Sequence, residues 1–381
     1  MTPAIFIVFR KIHKFGFSGN THHKGGEILN QFTCKTKIIS GAGAICAIKE
    51  HCGKHLLIVT DPYFMKNGTA QRIGALSGAE KVMYFDKIQP DPTVTLAAEG
   101  TALLRQTNAD TVVALGGGSA MDCAKAMVYF SQMPVRLIAI PTTSGSGSEV
   151  TDFSILTQDN VKHPLVDARL QPDIAILDSD LLKELPKKLI ADTGFDVISH
   201  AVEAFVATGA SPITDAIAQS AFLTMLENLT ESYAGNVDVR LKVHIASAMA
   251  GLAFNQAGLG LCHAIAHSLG GMFHLPHGRL NAILLPEVIM YNASAKYQHL
   301  AVAANLGGVT EKLALRNLKN KLISLRRQLD MPDTLAQAGI FLENRTPEII
   351  ASTLQDPCCN TNPVPVTAEG IGSILKAVAY G

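Results

Sequence analysis

Charge is scarce in this sequence. Asp, Glu, Lys and Arg make up 17% of the chain, below the roughly 25% of an average soluble protein. Much surface is therefore expected to be buried between domains or subunits, and a homodimer or higher homo-oligomer is expected. Neither sign dominates. The 32 Lys+Arg oppose 32 Asp+Glu, which argues against a basic nucleic-acid binder and against an acidic solvating tail. No window approaches about 18 consecutive apolar residues, so no membrane span is expected. The seven cysteines, at 34, 46, 52, 123, 262, 358 and 359, show neither zinc-ribbon nor paired CxxC spacing. Reduced thiols in a cytoplasmic protein are the expectation, and the vicinal Cys358-Cys359 is given no role. Internal repeats and low-complexity tracts are also missing.

What is present suggests two domains, since 381 residues amount to about 2.5 units of roughly 150. Residues 1–55 carry eight Lys/Arg and two Asp/Glu, so the chain starts with a basic extension, 1–35, of unassigned role. Its apolar stretch, 3–9, precedes Arg10 and Lys11, the wrong order for a secretory signal. Up to about residue 180, short apolar runs alternate with amphipathic segments, the pattern of a parallel sheet covered by helices. Strands are expected at 37–40, 55–60, 81–85, 111–115, 135–140, 153–157 and 174–177. Helices are expected at 44–52, 64–76, 94–106 and 119–130. Past Pro186 the apolar spacing turns to three and four through 193–207, 212–229 and 237–256, which is helical. The boundary is marked by Glu184-Leu185-Pro186-Lys187-Lys188. An α/β domain, 36–187, and a helical domain, 188–381, follow.

Two glycine-dense loops end consecutive strands of the first domain. Gly116-Gly117-Gly118-Ser119 leads into a helix, and Pro141 to Glu149 (PTTSGSGSE) is rich in hydroxyls. Neither is GxGxxG, and either alone could be a structural turn. Together, at the carboxyl ends of neighbouring parallel strands, they suggest a Rossmann-like site for a dinucleotide, with pyrophosphate at the helix N-terminus. Asp61 ends an earlier strand, where its carboxylate could accept from an adenosine ribose hydroxyl and oppose a 2′-phosphate, favouring NAD over NADP. It could equally initiate a turn before Pro62.

In the helical half, Asp196 and His200 lie one turn apart, as do His263 and His267, while His277 follows Pro276 at the start of a turn or helix. Each histidine alone has a structural explanation. Jointly, Asp196, His200, His263 and His277 place four metal donors in apolar segments, where unpaired polar groups are costly. One carboxylate with three imidazoles suits Fe(II), Zn(II) or Mn(II). Four donors crowd out a fifth, so His267 is read as a supporting or proton-transfer residue. His244 and His274 have no such context.

The motifs GGGSxxDxxK at 116–125, PTTSGSGSEVT at 141–151, the Asp196/His200 pair and the HxxxH plus PHG stretch at 263–278 resemble the iron-dependent (group III) alcohol dehydrogenases. The likeness runs from about Lys37 onward and looks closest to the propanol and ethanol dehydrogenases of propanediol and ethanolamine utilisation. It implies an N-terminal dinucleotide domain, a helical metal domain of dehydroquinate synthase-like architecture, and a catalytic cleft between them. It implies Fe(II) on Asp196, His200, His263 and His277. Around NAD it implies Asp61, Asp91, Gly117, Gly118, Ser119, Asp122, Thr142, Thr143, Ser146 and Lys162. Ser146 stands where the family usually has Thr. The implied reaction interconverts short-chain aldehydes and primary alcohols, with hydride moving to or from NAD(H), the metal polarising the oxygen and His267 relaying the proton. The implied setting is the cytoplasm or a bacterial microcompartment. Alternatives are a polyol (glycerol-type) dehydrogenase or a dehydroquinate-synthase-like lyase on the same scaffold, and a non-catalytic oligomeric scaffold protein.

Overall fold

The computed structural model describes residues 21–24, 27–158 and 161–380. The apolar stretch 3–9 lies outside them. The chain divides into two compact units, one comprising residues 34–184 and the other residues 185–380. A small antiparallel hairpin, β1 (Thr21–Lys24) with β2 (Glu27–Asn30), precedes the first main strand.

The first unit is built on β3 (Lys37–Gly41), β4 (His55–Thr60), β5 (Lys81–Phe85), β6 (Thr111–Gly116), β7 (Arg136–Pro141) and β10 (Ile174–Asp178). They form one parallel sheet in the order β3-β10-β7-β6-β4-β5. Alternate residues of the central strands serve opposite faces. Leu57, Val59, Val112, Ala114, Leu137 and Ala139 pack against helices α3 (Val94–Thr107) and α4 (Gly118–Ser131). Leu56, Ile58, Val113, Leu115, Ile138 and Ile140 pack against Ile45, Ile48, Ala70 and Ile73 on the other face. Burial on both faces is why these strands read as continuous apolar runs. The strand order reverses next to β4: β5 lies on one side of it and β6 on the other. In such sheets that switch point, at the carboxyl ends, is where ligands bind.

Three local expectations are modified. Residues 44–50 form a 3-10 helix whose start hangs on the Asp178 carboxylate, which accepts from Gly43 N and Ile45 N at 3.0 Å each. The expected helix at 64–76 is two helices, α1 (Pro62–Lys66) and α2 (Thr69–Ser77), because Gly68 adopts φ 81° between them. The segment Phe153–Gln158 is a strand, β8, but it leaves the main sheet and pairs antiparallel with β9 (Val161–Val166). β9 escapes a periodicity reading because Lys162, His163 and Pro164 interrupt its apolar pattern, and proline is tolerated only on such edge pairs.

The second unit is helical. Its core helix, α5 (Lys187–Val206), is buried nearly all round through Ile190, Phe195, Val197, Ile198, Ala201, Val202 and Phe205, as a helix surrounded by others must be. Around it pack α6 (Pro212–Ala234), α7 (Arg240–Ala257) and α9 (His277–Asn292), with α8 (Leu261–Phe273) against α9. The layer continues with α10 (Lys296–Ala303), α11 (Glu311–Gln328), α12 (Thr346–Leu354) and α13 (Ala368–Ala379). Among the described residues, no single helix is long and apolar enough to cross a membrane.

Candidate functional site

In the first unit, β6 ends at Gly116, whose φ of 149° and proximity to Ala120 admit no side chain: a Cβ there would stand 2.7 Å from the Ala120 Cβ. Gly117 is the N-cap of α4, and no side chain caps that end. The first-turn N–H groups, including those of Gly118 and Ser119, therefore have no intrahelical acceptor and can bind an anion. The loop after β7 lies on this turn. Thr142 N–H donates to the Gly116 carbonyl at 3.0 Å. A Cβ on Gly117 would stand 3.3 Å from Thr143 Oγ1, and one on Gly118 3.4 Å from Ser146 Oγ. Gly117, Gly118, Ser119, Thr142, Thr143 and Ser146 thus share one crevice, and the bare glycines leave its floor open to a phosphate.

Asp61 borders the same crevice and also caps a helix. Its Oδ1 accepts from Tyr63 N (2.9 Å) and Phe64 N (3.2 Å) at the start of α1, while Oδ2 faces Gly116, 3.9 Å from where a Cβ would be. Asp91 and Lys162 pair with each other, Oδ1 to Nζ 2.7 Å. This fastens the turn before α3 to the β8–β9 hairpin, where Thr157 N–H also donates to the Pro92 carbonyl at 2.8 Å.

Asp122 supports the crevice from beneath. Its carboxylate accepts from Ser148 Oγ at 3.1 Å and its carbonyl from Ser154 Oγ at 2.8 Å. The residue that sequence reasoning passed over is Lys125, one turn on, which is 1% exposed. Its Nζ donates to Ser148 Oγ, Thr151 O and Thr151 Oγ1 at 3.0 Å and to Phe153 O at 2.9 Å, clamping the hydroxyl-rich loop to α4. Burial lowers the Lys125 pKa to about 8 against the pull of Asp122, Glu149 and Asp152. Burial raises Asp122 to about 6 and Glu149 to about 7. The Asp-x-x-Lys spacing on an otherwise apolar helix was the available signal.

In the second unit, three imidazoles surround one carboxylate oxygen. Asp196 Oδ1 lies 4.0 Å from His200 Nε2, 3.8 Å from His263 Nε2 and 3.9 Å from His277 Nε2. Ligand atoms of Asp196, His263 and His277 all fall within 4.8 Å of one another. His200 stacks on His263 (4.6 Å between centroids) and on Phe254 (4.4 Å). Asp196 and His200 come from α5, His263 from α8, and His277 is the first residue of α9. The approach of α9 to α5 depends on the glycine of the PHG run, since a Cβ on Gly278 would stand 1.8 Å from the Asp192 carbonyl. Arg279 locks the junction: its guanidinium grips the Asp192 carboxylate at 3.0 and 2.5 Å.

The electrostatics suit a cation. Burial pushes the Asp196 carboxyl up to about 7 and holds His263 well below the usual imidazole range. A carboxylate short of positive charge beside a neutral imidazole is what a divalent ion would complete. Two further residues reach the cluster that the sequence did not single out. Asn281 Nδ2 donates to Asp196 Oδ1 at 2.8 Å and lies 3.3 Å from His263 Nε2. Glu203, one helical turn beyond His200, accepts from Gly260 N (3.0 Å), Cys262 N (2.7 Å) and His263 N (3.3 Å), and sits 2.6 Å from His263 Nδ1.

His267 lies beside this cluster, stacked on His277 with centroids 4.9 Å apart. Its Nδ1 is 2.8 Å from Asp356 Oδ2. Burial raises the Asp356 carboxyl, but His267 and the Cys358 N–H more than offset this and hold it below its ordinary value. Cys358 is buried next to the pair. His274 caps the C-terminus of α8 in a left-handed conformation, φ 54°.

The model of the iron-containing alcohol dehydrogenases matches residues 35–179, and that of the C-terminal part of the Fe-containing alcohol dehydrogenase family matches 190–379. The chain is 38% identical to the 1-propanol dehydrogenase PduQ of Salmonella typhimurium, over 91% of this chain and 99% of that protein. It is 35% identical to the NADPH-dependent butanol dehydrogenase of Clostridium saccharobutylicum, over 92% and 98%. Among solved structures, the sulfoacetaldehyde reductase of Bifidobacterium kashiwanohense in complex with NAD+ superposes with a TM-score of 0.86 at 28% identity, covering 93% of this chain and all of that one. The chain is an oxidoreductase that belongs to the iron-containing alcohol dehydrogenase family.

Proposed function

We propose that this enzyme interconverts short-chain aldehydes, such as propionaldehyde and acetaldehyde, with their primary alcohols, using NAD(H) and a divalent ion, Fe(II) by family and Zn(II) or Mn(II) by donor chemistry. The observation that carries the reading is the convergence of three imidazole Nε2 atoms on one buried carboxylate oxygen. A non-catalytic scaffold has no need of that cluster. Asp196, His200, His263 and His277 would hold the ion. Gly117, Gly118, Ser119, Thr142, Thr143 and Ser146 would cradle the pyrophosphate. Bound there, the ion supplies Lewis-acid polarisation of the substrate oxygen, and the nicotinamide supplies or accepts the hydride.

The protein's own part is positioning, dryness and proton supply. Asp61 keeps Oδ2 toward the glycine turn, where a ribose hydroxyl can donate to it and a 2′-phosphate is repelled, which favours NAD over NADP. Phe254, stacked on His200, keeps one flank of the cluster apolar. His267 has Nδ1 engaged by Asp356, so its Nε2 is the atom that gives or takes the proton. Asp91 and Lys162 act as a pair on the rim of the dinucleotide domain.

Protein purified without oxygen should hold about one metal ion per chain and oxidise NADH with propionaldehyde. Absence of both metal and NADH oxidation across a panel of C2 to C4 aldehydes would overturn the assignment. Stronger turnover with glycerol or dihydroxyacetone would favour the polyol reading.

A further inference from the structure

Glu203 is buried, 1% exposed, in the last turn of α5, with Val202, Ala204 and Phe205 as its buried neighbours in sequence. A carboxylate in such a place is retained only if its oxygens are filled. Here three partners are donors, the backbone N–H groups at the start of α8, and the fourth is Nδ1 of the His263 ring, 2.6 Å from Oε2. Oε2 alone faces Gly260 N, His263 N and His263 Nδ1.

The opposite edge of the same imidazole is equally constrained. Asn281 directs its amide nitrogen at Asp196 Oδ1, at 2.8 Å, and its Oδ1 takes the Cys262 thiol at 3.5 Å. That orientation puts an N–H group 3.3 Å from His263 Nε2. Nε2 therefore presents a lone pair, and the ring proton resides on Nδ1, facing Glu203. We propose that Glu203 is a positioning residue for the metal centre, holding His263 in the Nδ1–H tautomer with Nε2 aimed at Asp196. The inference rests on His263 being a ligand. By closing the N-terminal turn of α8 onto α5, the same carboxylate sets the height of the ring as well as its tautomer. Such partners of ligating histidines change metal affinity by about 10- to 100-fold.

Glu203→Gln keeps the size and loses the charge: its single amide oxygen takes the Oε2 position, where Gly260 N, His263 N and His263 Nδ1 converge, its N–H₂ is left against Cys262 N–H, and Nδ1–H is held by a neutral acceptor in place of a carboxylate. Zn(II) affinity, measured by chelator competition, should fall about 10- to 100-fold, and the metal-free melting temperature should fall with it, because the Cys262 N–H loses its acceptor. Unchanged affinity, with or without a lowered melting temperature, would reduce Glu203 to a helix cap and overturn the proposal. In the parent protein without metal, side-chain ¹⁵N shifts of His263 should report a protonated Nδ1 and a bare Nε2. The reverse pattern also overturns it, and this measurement needs no variant to fold. His263→Ala tests the underlying reading separately: full Zn(II) affinity in that variant would remove His263 from the ligand set whatever Glu203 does.

Discussion

Replacing Lys125 by Met tests whether the buried ammonium is what holds the hydroxyl-rich loop in place. Met keeps most of the stem volume and removes only the charged head. Two backbone carbonyls, Thr151 O and Phe153 O, lose the donor at 3.0 and 2.9 Å. A buried acceptor left unmade costs about 1–3 kcal/mol, so the pair costs about 2–6. The hydroxyls lose less, since Ser148 Oγ still donates to Asp122. Relief from burying an ammonium is set against the loss of the cation that the buried Asp122 and Glu149 face, leaving roughly 3 kcal/mol. For a unit of about 150 residues that lowers the melting temperature by roughly 6–12 °C. The loop would also be freed from α4, so KM for NADH should rise several-fold while metal content stays the same. Differential scanning fluorimetry and initial-rate kinetics on one preparation read both effects. A melting shift below about 2 °C with unchanged KM would show that the loop is held by its own glycine packing and that Lys125 is dispensable.

Asp61→Gly should raise the ratio of NADP to NAD catalytic efficiencies at a stability cost of only a few tenths of a kcal/mol, since Gly is a tolerable N-cap. An unchanged ratio would leave Asp61 as a cap alone. His267→Ala should retain stoichiometric metal and lose turnover, most where protonation of the product limits the rate; metal loss would make it a ligand, and unchanged pH–rate profiles would remove it from the reaction. Metal affinity should depend on pH through Asp196. Without metal, burial raises its folded-state pKa to about 7, above the unfolded value near about 3.9, so its protonated form stabilises the metal-free fold at low pH and that contribution is lost as pH rises through about 7. An incoming ion must displace this proton, so affinity should climb by up to about tenfold per unit below pH 7 and flatten above it. Isothermal titration with Zn(II) at several pH values measures this, and a flat profile from pH 5.5 to 7 would refute it.

Much of the molecule is legible in one dimension because its signals are local. The doubly buried strands announce themselves as unbroken Val/Ile/Leu runs. The glycine turn after β6 is written as three consecutive glycines, and the i,i+4 pairs on α5 and α8 put donors on one helical face. What is not local is not legible. β8 carries the alternation of a sheet strand, and only the packing of the hairpin decided that it pairs with the polar, proline-bearing β9 instead of joining the parallel sheet. The split of 62–77 into two helices turned on one glycine φ. Lys125, Glu203, Asn281 and Asp356 all stand far in sequence from at least one group they serve: Glu203 meets His263 across 60 residues, and Asp356 meets His267 across 89. No period or spacing encodes such pairings. The sequence by itself determined which side chains could act as donors and which faces they occupy; the tertiary structure decided which buried carboxylate answers which imidazole, because desolvation penalises every unpaired polar group and only the three-dimensional packing says where the partner is.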